Sequence, residues 1–229
     1  MNRQYSFSLP HAEKMTAEDF MVSASNRDAA AWTLELAPWK WPHHCVIVHG
    51  PLGCGKTHLL SAWAERNGAR KAAPGEDIVP AVLEKSCRAA AIDDADSVSG
   101  KAEMEEWLKH LYDAAETSGA RLLLAASAPP AAWGLGLQDI VSRLKSCPSI
   151  EIGEPDDVLM RGLLVKLFSD RQLLVDADVI EYLTARIERT GTAARQAVEE
   201  LDVKALELGR KITVPFAGEV LFSRQSRTD

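Results

Sequence analysis

The sequence predicts a three-layer α/β core with a parallel sheet, followed by a small helical domain. Three observations carry that prediction. Short apolar runs alternate with helical stripes as far as Pro155, one run enters a glycine-rich turn that opens a helix, and beyond Pro155 the apolar spacing is helical only. With 229 residues, 46% of them hydrophobic, the chain can bury a sizeable core. The expected division is a tail over 1–14, an α/β domain over 15–155 and a helical domain over 156–229.

Residues 26–37 read as a helix: Asn26 is placed to cap it, Ala29, Ala30, Trp32, Leu34 and Leu36 are apolar, and Pro38 stops it. Cys45-Val46-Ile47-Val48 is too short for a helix and ends at a glycine-rich turn, so it predicts a buried strand, with a helix from about Lys56 to Asn67. Ala89–Ile92 and Arg121–Ala126 are two further core strands. Between them Met104, Trp107, Leu108, Leu111, Tyr112 and Ala115 form an amphipathic stripe ending before Gly119. Ser149–Ile152 is the last predicted strand. Helices then follow from Asp156 to about Asp170, from Asp178 with Glu181 in capping-box position, and from Thr192 to Leu208. A short final helix opens at Thr213-Val214-Pro215 and reaches Leu221.

The formal net charge of -7, from 26 basic and 33 acidic residues, argues against an unaided grip on nucleic acid and for a protein partner, with no sequence-specific DNA binding by this chain. Cys45, Cys54, Cys87 and Cys147 are scattered singly, without zinc-ligand spacing or a disulfide framework, which fits reduced thiols and a cytoplasmic protein. His43, His44, His49, His58 and His110 fall on different predicted elements and read as surface or loop histidines rather than a metal set. The loop Trp39-Lys40-Trp41-Pro42 reads as a cover over the sheet edge, with an exposed contact patch as the other reading. No apolar run approaches the roughly eighteen residues of a membrane span.

Gly50-Pro51-Leu52-Gly53-Cys54-Gly55-Lys56-Thr57 satisfies G-x-x-x-x-G-K-[ST] between a predicted strand and a predicted helix, the context that phosphate binding requires. Glycines let backbone N–H groups converge on phosphate oxygens, the helix N-terminus adds its positive end, Lys56 reaches the β- and γ-phosphates, and Thr57 ligates Mg²⁺. Cys54 and His58 complete the expected nucleotide-binding stretch. Asp93 and Asp94 end the strand at 89–92, the first for Mg²⁺ and the second for the attacking water; Asp96 is nearby but off the strand. Ser127 ends the third strand, where its hydroxyl could meet the γ-phosphate or act as a turn residue before Pro129-Pro130.

Together GPLGCGKTHLLSAW, AIDDAD, LGLQDIVSRLKS and RKITVPF resemble the AAA+ part of the DnaA family of bacterial replication initiators, and most of all its short regulatory members of the Hda type. The resemblance spans roughly residues 15–222. It implies a P-loop NTPase (AAA+) fold with a helical lid, ATP or ADP with Mg²⁺ as cofactors, and regulation of replication initiation by promoting hydrolysis of ATP bound to DnaA. The initiator's helix-turn-helix domain would follow about residue 222, and the ending at Asp229 favours the regulator.

In that family an arginine after the third strand completes a neighbouring subunit's ATP site, which makes Arg143 the expected finger. Thr192 falls where a second-sensor arginine is usual, leaving Arg195 one turn on, the favoured choice, or Arg189 one turn before. Phe20 and Val22 match the adenine-facing stretch, or are core residues. Gln4, Phe7 and Leu9 resemble the peptide that docks such regulators on the DNA polymerase sliding clamp, although their alternation also suits an edge strand. The expected partners are DnaA and the clamp, with a homo-oligomer as a further option, and any turnover is that of a weak ATPase acting largely in trans. A free-standing ATPase that remodels DNA or loads a helicase is the alternative, and a small-molecule kinase a third reading.

Overall fold

The structure, a computed structural model, describes Ala17 and residues 19–225, with side chains as far as Leu221. A short helix α1 (Arg27–Ala30) runs into a π-helical turn over Ala31–Glu35. The predicted helix at 26–37 is therefore correct in place, but it is widened in its second half. Thr33 Oγ1 bonds the Ala29 carbonyl there, and the chain leaves the helix at Leu36, two residues before Pro38. Asn26 does not cap α1 by its side chain; it accepts from Ser23 N and donates to Met21 O, tying the preceding segment instead.

The sheet forms from β1 (Cys45–His49), β2 (Arg70–Ala72), β3 (Ala89–Ile92), β4 (Arg121–Ala126) and β5 (Ser149–Glu151), in the order β2-β3-β4-β1-β5. Every pair is parallel, with Val46 opposite Leu123, Ala91 opposite Leu123 and Ile47 opposite Ser149. The strands are joined through α2 (Lys56–Asn67), α3 (Val79–Leu83), α4 (Ala102–Ser118) and α5 (Gln138–Ser146). Alternation along the strands builds two apolar layers. Cys45, Ile47, Ala90, Ile92, Leu122 and Leu124 face α4 and α5, while Val46, Val48, Ala89, Ala91, Leu123 and Ala125 face α2 and the N-terminal helix. Both faces are covered, which is why these strands read as unbroken apolar runs.

β2 was not visible in the sequence, because an edge strand reading Arg-Lys-Ala buries only Ala72. The loop at 39–42 divides its tryptophans: Trp41 is buried and stacks on Trp63 at 5.5 Å, while Trp39 is 71% exposed.

α6 (Asp157–Asp170), α7 (Ala177–Thr184), α8 (Gly191–Leu208) and α9 (Val214–Gln225) form the helical part. Its core includes Met160, Leu164, Phe168, Leu183, Val198, Leu201 and Phe216. Asp156 caps α6 by accepting from Leu159 N at 2.8 Å, and Thr190 caps α8 by accepting from Ala193 N at 3.0 Å. Two expectations need correction here. α7 starts after Asp176 rather than at Asp178, so Glu181 is not in a capping box and bonds Arg161 at 2.7 Å instead. The final helix continues past Leu221 to Gln225. Among the described residues no helix is long and apolar enough to cross a membrane.

Candidate functional site

β1 ends at the sheet's C-terminal edge and hands the chain to the loop 50–55, which opens α2. Two of its glycines are needed for distinct reasons. A Cβ on Gly50 would fall on the Ile152 carbonyl oxygen just past β5, and Gly55, the residue before α2, has φ +104, a conformation that L side chains rarely adopt. The loop's third glycine, Gly53, lies against the lid: a Cβ there would come within 2.6 Å of Thr190 Cβ.

Lys56 is only 9% exposed, and its Nζ donates to the carbonyls of Gly50 at 2.7 Å and Pro51 at 2.9 Å, so the ammonium lies within the loop. Cys54 is buried beside it, and burial pushes its thiol up despite the nearby ammonium. Thr57, in the first turn of α2, donates its hydroxyl to Asp93 Oδ2 at 2.7 Å. The other oxygen of Asp93 accepts from Asp94 N at 3.0 Å, which fixes the carboxylate toward the helix. A hydroxyl and a carboxylate converging at a helix N-terminus beside a lysine suit a hard divalent cation, which prefers oxygen ligands. No group of three His, Cys, Asp or Glu among the described residues forms a cation cage by itself. A cleft of about 290 Å³ opens beside the pair, lined in part by Ser61, Lys71 and Glu76.

Asp94 is exposed and left-handed at φ +48, at the start of a 3₁₀ turn over Ala95–Val98. That turn brings round Asp96, whose carboxylate accepts from both the hydroxyl and the backbone N–H of Ser127. Ser127 is thus at the strand tip as expected, but its hydroxyl proton is committed to Asp96. Sequence reasoning set Asp96 aside because it lies beyond the strand, and only the turn geometry returns it.

Of the two residues expected to face the base, Phe20 packs edge-on against His58 at 5.3 Å between ring centres and joins the α2-facing layer, whereas Val22 is 52% exposed. The lid reaches the loop through α8: Gly191 N donates to Gly53 O at 3.3 Å, and the Arg195 guanidinium packs over Gly191. Arg189 points elsewhere, in an ion pair with Asp157 at 2.7 Å. Of the two second-sensor candidates, only Arg195 is stacked on the residue that touches the loop. The signal for this contact was Thr190-Gly191, a capping pair that the sequence reading passed over.

Arg143 belongs to a different neighbourhood. Its NH1 bonds Asp113 at 2.8 Å and Glu116 at 3.1 Å on α4, its Nε bonds Asp139 at 3.2 Å on its own helix, and the guanidinium lies 5.7 Å from the Tyr112 ring centre. These contacts, the Asp139 hydrogen bond foremost, raise its already high proton affinity. α5 is anchored at its other end by Glu105, 3% exposed, whose carboxylate accepts from the N–H groups of Gly100, Gly136 and Leu137 at 2.8–3.1 Å. Gln4, Phe7 and Leu9 lie outside the described residues.

Comparison with known proteins assigns two segments of the chain. Residues 11–79 match the family model of the bacterial DnaA ATPase domain, and residues 161–221 match that of the Hda lid domain. Domain III of the Thermotoga maritima replication initiation protein DnaA superposes with a TM-score of 0.78 at 20% identity, covering 91% of this chain and 96% of that one. The AMPPCP-bound DnaA of Aquifex aeolicus gives 0.67 at 22% identity, covering 84% of this chain and 66% of that one. A RuvB mutant of Thermotoga maritima gives 0.71 at 17% identity, covering 92% of this chain and 72% of that one. At such identities these structures establish the fold, and the two sequence matches add the kinship of the segments they cover. Residues 11–79 are therefore a segment of the bacterial DnaA ATPase-domain type and residues 161–221 a lid of the Hda type, carried on a fold shared with DnaA and RuvB.

Proposed function

We propose that this chain binds ATP or ADP with Mg²⁺ and regulates replication initiation by promoting hydrolysis of ATP held by DnaA while docked on the sliding clamp. The observation that carries nucleotide binding is the Thr57–Asp93 bond at 2.7 Å beside an ammonium buried in the loop. The residues that would hold the phosphates are Lys56 and the backbone N–H groups of Gly53, Cys54 and Gly55, and those for the cation are Thr57 and Asp93. Bound Mg²⁺ would neutralise phosphate charge. Lys56 exchanges two neutral carbonyl partners for phosphate oxygens, a gain because charge-assisted hydrogen bonds are stronger. His58 and Phe20 offer an aromatic wall to the base, with the exposed Val22 close by in sequence, and Arg195 approaches from the lid. Asp94, exposed at the strand end, is the residue for water, while the Ser127 hydroxyl is held by Asp96.

Support for the regulatory reading comes from the Hda-type lid together with an arginine, Arg143, held away from this chain's own phosphate loop and therefore suited to a neighbour's site. The clamp-docking part rests on Gln4, Phe7 and Leu9 in the sequence alone. The test is to add the protein to ATP-loaded DnaA and DNA-loaded clamp. Hydrolysis is expected to rise, to stay at its basal rate with Arg143→Ala, and to lose clamp dependence with Gln4→Ala. Unchanged hydrolysis with the native chain, or equal stimulation by Arg143→Ala, refutes it. Turnover by the chain alone that rises with single-stranded DNA supports a free-standing ATPase instead.

A further inference from the structure

We propose that Asp113 and Glu116 are an autoinhibitory latch on Arg143, released when a partner's nucleoside triphosphate competes for the guanidinium. The proposal rests on the reading of Arg143 as a residue that acts on a partner's site. Asp113 and Glu116 are three residues apart on α4 and face the same side of that helix, next to Tyr112, which lies under the guanidinium. Both carboxylates converge on NH1, at 2.8 and 3.1 Å. Asp139 bonds Nε from the same helix as Arg143 and travels with it, so among the described residues it is α4, through this pair and the Tyr112 ring, that ties the arginine to another element.

Three carboxylates against one guanidinium leave the cluster net negative. A polyphosphate approaching such a cluster meets repulsion, and it cannot receive the paired N–H fork that makes arginine effective while NH1 is occupied. The arginine therefore acts only after leaving α4. The latch is weak enough to open, because Arg143 is a third exposed and ion pairs at that exposure bind by only a few-fold to about tenfold. Buttressing makes the opposite prediction: if the α4 carboxylates merely oriented Arg143 for use, removing them would lower its effect.

The experiment measures DnaA-bound ATP hydrolysis against concentration of the native chain, of Asp113→Asn, of Glu116→Gln, of the double variant and of Arg143→Ala, with thermal unfolding as a check on folding. The expected result is that each single variant lowers the half-maximal concentration, that the double variant lowers it by roughly threefold to tenfold, and that the maximal rate is unchanged. A half-maximal concentration that stays the same or rises in the folded variants overturns the latch while leaving the reading of Arg143 intact, provided Arg143→Ala is inactive. Full stimulation by Arg143→Ala overturns both. The two single variants keep the test open should the double variant fail to fold.

Discussion

Lys56 and Arg143 are both cations for which we propose phosphate chemistry, yet the chain holds them by opposite means. Lys56 is kept by neutral carbonyl oxygens inside its own loop, and Arg143 by carboxylates of a neighbouring helix. Neutral partners leave the lysine's charge available to an incoming anion, whereas carboxylates cancel it. The difference teaches that a phosphate-binding residue is defined as much by what releases it as by where it stands. A site that serves this chain's own ligand can keep its cation charged, while one that serves a partner gains from keeping it neutralised until contact.

That contrast can be sharpened or broken by substitution. The largest effect is expected at Lys56: Lys56→Ala should weaken adenine nucleotide binding by about a hundredfold, from the loss of charge-assisted hydrogen bonds, and a fluorescent-nucleotide titration checks it. An equally tight variant would remove the loop from the comparison. Next is the anchor of the other region. Glu105→Ala removes the acceptor of three part-buried N–H groups and should cost about 2 kcal/mol of stability, read by denaturant unfolding, with α5 losing its fixed entry. Gly50→Ala should cost about 1–3 kcal/mol in the same assay, because the added methyl meets the Ile152 carbonyl.

The smallest effect is the most specific. Asp156→Ala should cost about 1 kcal/mol through the lost cap on α6. Hydrogen bonds, that from Leu159 N first, hold the Asp156 carboxyl below its ordinary range. A depressed carboxylate contributes stability above its unfolded pKa, and that contribution is lost as pH falls through the folded value. The gap between native chain and variant should accordingly be constant near neutrality and close only below about pH 4, as pH-dependent melting would show.

The phosphate loop was legible in the sequence because its chemistry is local. A buried strand, glycines at set positions and a helix with Lys and Thr in its first turn can be read from consecutive residues. The central strands were legible for the same reason, each being a short apolar run buried on both faces. Arg-Lys-Ala gave no such sign, since an edge strand shows its partner only through backbone bonds. α7 was entered two residues late because Asp176 and Asp178 are equally good cap residues by type. Arg143 was singled out by resemblance, but Asp113 and Glu116 were not, because acids on a helix between apolar positions look like a solvated face until the helix opposite is placed. Asp96 shows the same limit: its partner Ser127 lies just past β4, 31 residues on in the chain.

One consequence follows from the contact between Gly53 and the α8 cap. The loop and the lid meet where a residue without a side chain faces the Thr190 Cβ and methyl group, and where Gly191 donates to the Gly53 carbonyl. With so thin a spacer, any side chain at position 53 would wedge the loop and the lid apart, so this one residue sets how closely the two can approach.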